Sequence, residues 1–75
     1  MRIEIIRTGT KTEFIDLDSD RRVAITDAER VRGGYSVETL VWSQGSSSYI
    51  RCGMRRFDLR AEAVYEALCR LEDRS

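Results

Sequence analysis

The chain has 75 residues, of which 41% are hydrophobic and 35% charged, and its 13 basic and 13 acidic side chains leave no net charge. This length allows one domain with a small core, and the apolar fraction at zero net charge excludes an obligatorily disordered chain. Zero net charge also excludes a global field that attracts nucleic acid or an anionic membrane, so an electrostatic partner must be bound by a local patch.

The N-terminal part of the chain is predicted to be a β-hairpin. Residues 2–7 and 12–17 are rich in β-branched and aromatic side chains, which favour extended structure. Gly9 lies in the short polar connection between them, where a tight turn is expected. The two segments are therefore assigned to the first two strands of an antiparallel sheet.

An acidic turn and a third strand follow this hairpin. Residues 16–20 carry aspartate at every second position, and residues 22–25 predict a short strand with Val23 and Ile25 on one face. The aspartate spacing resembles the start of a calcium-binding loop, but Arg21 stands where such a loop needs glycine, and its cation opposes a calcium ion. We therefore predict an acidic turn and no metal site.

The next segment is compatible with two structures. Thr26 and Glu29 match a capping box, which predicts a short helix over residues 27–32. Alternatively, Gly33 and Gly34 form a two-residue hairpin turn that ends a longer strand. Both alternatives are consistent with the sequence.

The fourth and fifth predicted strands, residues 35–42 and 49–56, are joined by a polar loop. Pairing of Gln44 with Ser48 would place Trp42 opposite Ile50, because antiparallel partners move apart in step from the turn. The apolar face of this hairpin then consists of Leu40, Trp42, Ile50 and Cys52.

A C-terminal helix is predicted from residue 59 to residue 74, with Asp58 as its N-cap. At about 100° per residue its apolar stripe consists of Ala61, Ala63, Val64, Ala67, Leu68 and Leu71. Glu66 and Arg70 fall on the side predicted to face solvent. Packing of the stripe on the apolar hairpin face predicts a single α+β domain over residues 1–75, with about five antiparallel strands and this one C-terminal helix.

That packing leaves the opposite hairpin face exposed as the candidate binding surface, around an opening at Gly53. Its residues are Tyr35, Tyr49, Arg51, Arg55 and Phe57. Tyrosine and arginine are enriched where proteins bind proteins, and the same side chains can stack on bases and hold phosphates of RNA or single-stranded DNA. The balanced charge favours a protein partner, with a nucleic acid as the alternative.

The sequence offers little for catalysis. It has no histidine, and its two cysteines, Cys52 and Cys69, lie seventeen positions apart, so neither a zinc site nor a nucleophile with an adjacent base is evident. The glycines form no nucleotide-binding motif, and a single-layer domain of this size is expected to lack a pocket of ~300 Å³ or more. We predict a protein without enzymatic activity, cofactor or metal.

Size and composition together narrow the functional class. The N-terminal residues are too charged for a signal peptide or membrane span, which predicts a cytoplasmic protein with no membrane partner. Small arginine-rich chains of this kind are similar in size to stoichiometric inhibitors and adaptors of phages and mobile elements, including anti-CRISPR proteins. We expect stoichiometric association with another protein, and a homodimer through an uncovered strand edge is a further possibility.

Overall fold

Five antiparallel strands and one C-terminal helix form the part of the chain that the computed structural model describes, residues 2–27 and 34–72. The strands follow one another across a single sheet in chain order. They are β1 (Ile3–Thr8), β2 (Lys11–Asp16), β3 (Arg21–Asp27), β4 (Tyr35–Ser43) and β5 (Ser48–Phe57), and the helix is α1 (Arg60–Leu71). The predicted α+β fold is confirmed. No helix in the described ranges is long and apolar enough to cross a bilayer.

The first two connections are tight turns, as predicted. Thr8 pairs with Lys11 across a two-residue turn in which Gly9 has a φ of 58°. In the second turn, the buried carboxylate of Asp16 accepts hydrogen bonds from the Asp18 N–H at 3.0 Å and from the Ser19 hydroxyl at 2.9 Å. Asp16 therefore anchors the acidic turn by bonding to the chain that follows it.

These hydrogen bonds predict how stability depends on pH. The N–H of Asp18, followed by the hydroxyl of Ser19, lowers the pKa of the Asp16 carboxyl from its ordinary value of 3.8. A carboxyl whose pKa is lower in the folded state adds stability above its unfolded pKa and loses it as the pH falls through the folded pKa. We expect the melting temperature to fall less steeply in Asp16→Asn than in the wild type between about pH 5 and about pH 2. If the melting temperatures of Asp16→Asn and the wild type fell equally with pH over this range, Asp16 would add no such stability.

The β3–β4 connection differs from one of the two predicted alternatives. Asp27 pairs with Tyr35, so the connection is longer than a two-residue turn at Gly33 and Gly34, and that alternative is wrong. Thr26 and Asp27 belong to β3, so a helix does not begin at residue 27. The rest of the predicted helix, residues 28–32, lies outside the described part of the chain.

The core lies between α1 and one side of the sheet. Val23 and Ile25 share this side, as predicted, because Val23 pairs with Phe14 and Ile25 pairs with Val37 across the neighbouring strands. The buried cluster consists of Phe14, Val23, Ile25, Val37, Ala63, Ala67 and Leu71. The prediction that α1 packs on Leu40, Trp42, Ile50 and Cys52 is therefore wrong: Leu40 lies on the other side, and Trp42, Ile50 and Cys52 are exposed. Four strands supply apolar partners to α1, whereas one hairpin alone would supply few.

The ends of α1 also differ from the sequence prediction. Asp58 is not the N-cap, because β5 continues to Phe57 and the helix begins at Arg60 with Leu59 in the cap position. Among the residues described, α1 ends at Leu71, whose carbonyl accepts a hydrogen bond from the Arg21 guanidinium at 3.2 Å. A cation at this end of a helix stabilises the last carbonyl groups.

A β-bulge in β5 sets which residues share a side of the sheet. Tyr35 pairs with Phe57 as predicted, but Trp42 pairs with Tyr49 and not with Ile50. The shift arises where β5 places two residues, Gly53 and Met54, opposite Glu38 alone. Gly53 has a φ of 64°, which is typical of the bulge class that begins with glycine. Ser43 then pairs with Ser48, so the predicted pairing of Gln44 with Ser48 is wrong.

Candidate functional site

The bulge divides the predicted binding face between the two sides of the sheet. Tyr35, Arg55 and Phe57 lie on the side that α1 covers, because Tyr35 and Phe57 pack against the core. Tyr49 and Arg51 lie beyond the bulge, on the side that α1 does not cover, which we call the open side. The structure therefore does not bring the five predicted residues together.

The three residues on the covered side have structural partners. Tyr35 and Phe57 are half-buried at the margin of the core. Arg55 extends over the Phe57 ring, with its guanidinium carbon 5.0 Å from the ring centroid, and one of its nitrogens lies 3.6 Å from a Glu66 carboxylate oxygen. These contacts join the C-terminal half of β5 to α1.

Glu66 and Arg70 are half-buried, so their predicted position facing solvent is wrong. The Arg70 guanidinium donates to Glu66 at 2.8 Å and to the Thr39 hydroxyl at 3.2 Å. A further Arg70 nitrogen contact reaches the Val37 carbonyl at 3.5 Å. This pair therefore links α1 to β4 in addition to bridging one helical turn.

The open side carries a cluster of aromatic and arginine side chains on β3, β4 and β5. Trp42 and Tyr49 are cross-strand neighbours whose rings meet edge to face, with centroids 5.2 Å apart. Trp42 is the only tryptophan in the chain and is 51% exposed, whereas tryptophan is largely buried in most proteins. We call this cluster the Trp42 patch, which consists of Arg22, Leu40, Trp42, Tyr49 and Arg51.

Arg22 fixes the orientation of the Tyr49 ring. Its guanidinium carbon lies 4.5 Å from the ring centroid, within the range of a cation–π contact. The Tyr49 hydroxyl donates to Asp20 at 3.3 Å, and Asp20 also accepts from Arg22 at 3.3 Å. Burial disfavours the charge of Arg22, but hydrogen bonding to Asp20 and the nearby Tyr49 and Glu13 outweigh it and raise the pKa of Arg22 above its ordinary value. The ring is thus held on two sides.

The cations of the Trp42 patch are compensated by neighbouring carboxylates. Arg51 is exposed, and its guanidinium lies 3.6 Å from the Glu38 carboxylate. Arg22 contacts Glu13 at 3.5 Å in addition to Asp20. The patch therefore combines aromatic surface with paired charges and has no strong excess of positive potential.

The open side is shielded next to the patch. Ile15 and Ala24 are buried although α1 lies on the opposite side of the sheet. Their cross-strand partners are Arg22 and Glu13, and the long stems of these side chains cover apolar neighbours while their charged ends meet each other. Exposed aromatic surface on this side is therefore concentrated on β4 and β5.

A groove of about 440 Å³ adjoins the Trp42 patch. Its lining includes Leu40 and Trp42 of β4, Val23 of β3, and Cys69 and Arg70 of α1. The expectation that the domain lacks a pocket of this size is wrong, because β4 extends beyond the start of β3 and leaves space beside the end of α1. The groove is large enough for one or two side chains of a partner.

Sequence reasoning missed Trp42 and Arg22 as site residues. The alternation of Trp42 with Leu40 predicts a core position for this ring, and Arg22 is predicted only to begin the third strand, with no role in binding. One available signal was the position of Trp42 next to the polar loop after β4, where a strand reaches beyond the body of the sheet. A tryptophan at the end of a hairpin has fewer strands around it to bury it.

No protein-family model, no curated protein and no solved structure matches this chain. Within residues 2–27 and 34–72, histidine, cysteine, aspartate and glutamate form no group of three or more in position to hold a metal ion.

Proposed function

We propose that this protein is a non-catalytic binding protein that associates stoichiometrically with another protein through the Trp42 patch, as an inhibitor or adaptor. The observation that carries the proposal is the exposed Trp42 ring, which packs against a half-buried Tyr49 that Arg22 holds beside an open groove. Tryptophan, tyrosine and arginine are the residues most enriched among those that dominate interface energies. A ring that is already held in place loses little conformational entropy when it binds.

The surroundings of the patch support an interface that is larger than one aromatic pair. Val41 and Ile50 are cross-strand neighbours at the same end of the β4–β5 hairpin, and both are about half exposed. They lie on the side opposite Trp42 and Tyr49, so this end of the hairpin exposes apolar groups on both sides. An exposed apolar cluster bordered by charged residues is typical of a surface that binds another protein.

The charges favour a protein over a nucleic acid. Arg22 and Arg51 each lie next to a carboxylate of Glu13, Asp20 or Glu38. Binding to RNA or single-stranded DNA needs cations that are free to replace the counterions of phosphates, and these carboxylates would repel the same phosphates. Paired charges at the margin of an aromatic patch instead resemble the polar margin of a protein interface.

The proposal is tested by affinity capture from host lysate with the full chain and with Trp42→Ala. We expect Trp42→Ala to weaken retention of the partner protein by about 1–3 kcal/mol, a loss of about fivefold to about 150-fold in affinity, because it removes the central side chain of the patch. Tyr65→Ala is the matched control, since Tyr65 is an exposed aromatic residue on α1 away from the patch. Its retention should equal that of the wild type.

Two results of this experiment would contradict the proposal. One is equal retention by Trp42→Ala and the wild type, which would remove the patch from the interface. The other is capture of nucleic acid that is lost after nuclease treatment and that weakens steeply with salt, as phosphate contacts require. Cooperative unfolding of each variant, followed by circular dichroism, verifies that a loss of binding does not arise from a loss of fold.

A further inference from the structure

β1 is an edge strand that lacks the usual protection against pairing with another strand. Within residues 2–27 and 34–72 it has a neighbour on one side only, β2, and all six of its residues are exposed. Among the described residues, α1 contacts the other four strands and does not reach β1. Natural sheets protect such edges with proline, a bulge or charged side chains, lysine above all; β1 contains no proline, lysine or bulge, and its only charged residues are Glu4 and Arg7.

The other edge of the sheet is protected. β5 contains the bulge at Gly53 and Met54, which interrupts regular pairing and increases the local twist. It also carries Arg51, Arg55 and Arg56, so an identical strand placed beside it would bring together charges of the same sign. By contrast, the two charged residues of β1, Glu4 and Arg7, have opposite signs. Self-association is therefore favoured at β1 and opposed at β5.

Hydrogen bonding to β2 determines which main-chain groups of β1 face outward. The Leu17 N–H donates to the Arg2 carbonyl at 2.8 Å, so even-numbered residues of this strand bond to β2. In an antiparallel pair this pattern alternates, and Ile3, Ile5 and Arg7 therefore direct their N–H and C=O groups away from β2.

We propose that a second copy of this chain pairs with β1 in an antiparallel, two-fold symmetric arrangement centred on Ile5. Outward-facing residues must meet outward-facing residues, so the axis passes through a residue and not between two, and the candidates in the middle of the strand are residues 4, 5 and 6. A centre at Glu4 places Glu4 opposite its own copy, and like charges directly opposite each other are unfavourable. A centre at Ile6 leaves Ile3 outside the paired segment.

The centre at Ile5 pairs the whole strand. Ile5 then faces Ile5 of the second copy, Ile3 faces Arg7, and Glu4 faces Ile6, so neither charge meets its like. The three outward residues of each copy supply about six main-chain hydrogen bonds. Ile3 and Ile5 lie on the α1 side of the sheet, where α1 does not reach them, so Ile5 would be buried against its copy and Ile3 against the stem of Arg7.

The expected dimer is reversible and leaves the Trp42 patch accessible. Pairing of two six-residue strands would bury less surface than the ~1,200–2,000 Å² of standard stable interfaces, so we expect a concentration-dependent equilibrium between monomer and dimer. The patch lies on β3 to β5, at the other end of the strand order from β1. The inference therefore does not depend on the proposed function.

Sedimentation of the full chain between about 1 µM and about 1 mM tests the proposal. The average mass of the wild type should rise with concentration toward twice the 8.7 kDa of one chain. Ile5→Lys should remain monomeric throughout, because it places two like charges at the two-fold axis. Met54→Lys is the matched control at the protected edge, since Met54 is 61% and Ile5 59% exposed, and it should dimerise as the wild type does.

A mixing experiment tests the register. Ile5→Lys and Ile5→Glu should each be monomeric, and an equimolar mixture of the two should recover the dimer, because opposite charges then meet across the axis. Recovery on mixing also shows that both variants are folded. A wild type that stays monomeric over the whole range would overturn the proposal. Dimerisation of Ile5→Glu alone would also overturn it, because that result requires residue 5 to face Arg7.

Discussion

Replacing Ile25 by alanine is expected to lower the free energy of unfolding by about 2–5 kcal/mol, the range measured for large aliphatic residues that leave a cavity in a core. Ile25 is fully buried at the centre of the sheet, between Thr12 of β2 and Val37 of β4. Because α1 closes this region, the neighbouring side chains can fill the space only partly.

Ile50→Ala is the matched control for this prediction. Ile50 has the same side chain, also lies in a strand, and is 50% exposed, so its truncation should cost about 1 kcal/mol or less. Urea denaturation of both variants measures the difference directly. The reverse order, with Ile50→Ala the more destabilised variant, would mean that α1 packs on the β4–β5 face chosen from the sequence alone.

Replacing Gly34 by alanine is expected to lower the free energy of unfolding by about 2–4 kcal/mol. Gly34 has a φ of 85°, which L-residues rarely adopt, and a Cβ at this position would lie 2.7 Å from the Phe57 carbonyl oxygen. That oxygen belongs to the main chain, so relief of the contact requires β4 and β5 to move apart where Tyr35 pairs with Phe57.

Gly9→Ala separates the two causes of this loss. Gly9 also has a positive φ, of 58°, but a Cβ there would meet no atom within 4 Å. Only the backbone strain remains, and we expect a loss of about 1–2 kcal/mol. Thermal or urea denaturation of the two variants compares them, and equal losses would show that the close approach to Phe57 adds nothing.

The secondary structure of this protein could be predicted from local sequence, and the packing could not. β-branched residues and turn glycines indicate the strands, and the alanine- and leucine-containing stripe indicates α1, because each signal acts within a few residues. Which side of the sheet α1 covers depends on partners far apart in sequence, such as Phe14 and Val37. The register predicted for the β4–β5 hairpin grouped Leu40 and Trp42 with Ile50 and Cys52, whereas the bulge places these two pairs on opposite sides of the sheet.

The candidate site was predicted only in part, and the reason is a single residue. Tyr49 and Arg51 lie on the open side, Arg51 exposed and Tyr49 half-buried beside Arg22, whereas Tyr35 and Phe57 lie on the other side at the margin of the core. Strict alternation along β5 would keep all of them on one side. Gly53 breaks the alternation; a glycine within a strand often marks a bulge, but it marks bends and close backbone contacts as well, and the sequence does not distinguish them.

The bulge gives the two halves of β5 separate tasks. Residues before Gly53 contribute to the surface that we propose binds a partner, and residues after it hold α1 against the sheet. Substitutions at Tyr49 or Arg51 can therefore retune recognition without disturbing the helix, and substitutions at Phe57 act mainly on stability. Loss of one residue at this position would restore a uniform strand and turn Tyr49 toward the helix, so the spacing matters as much as the side chains.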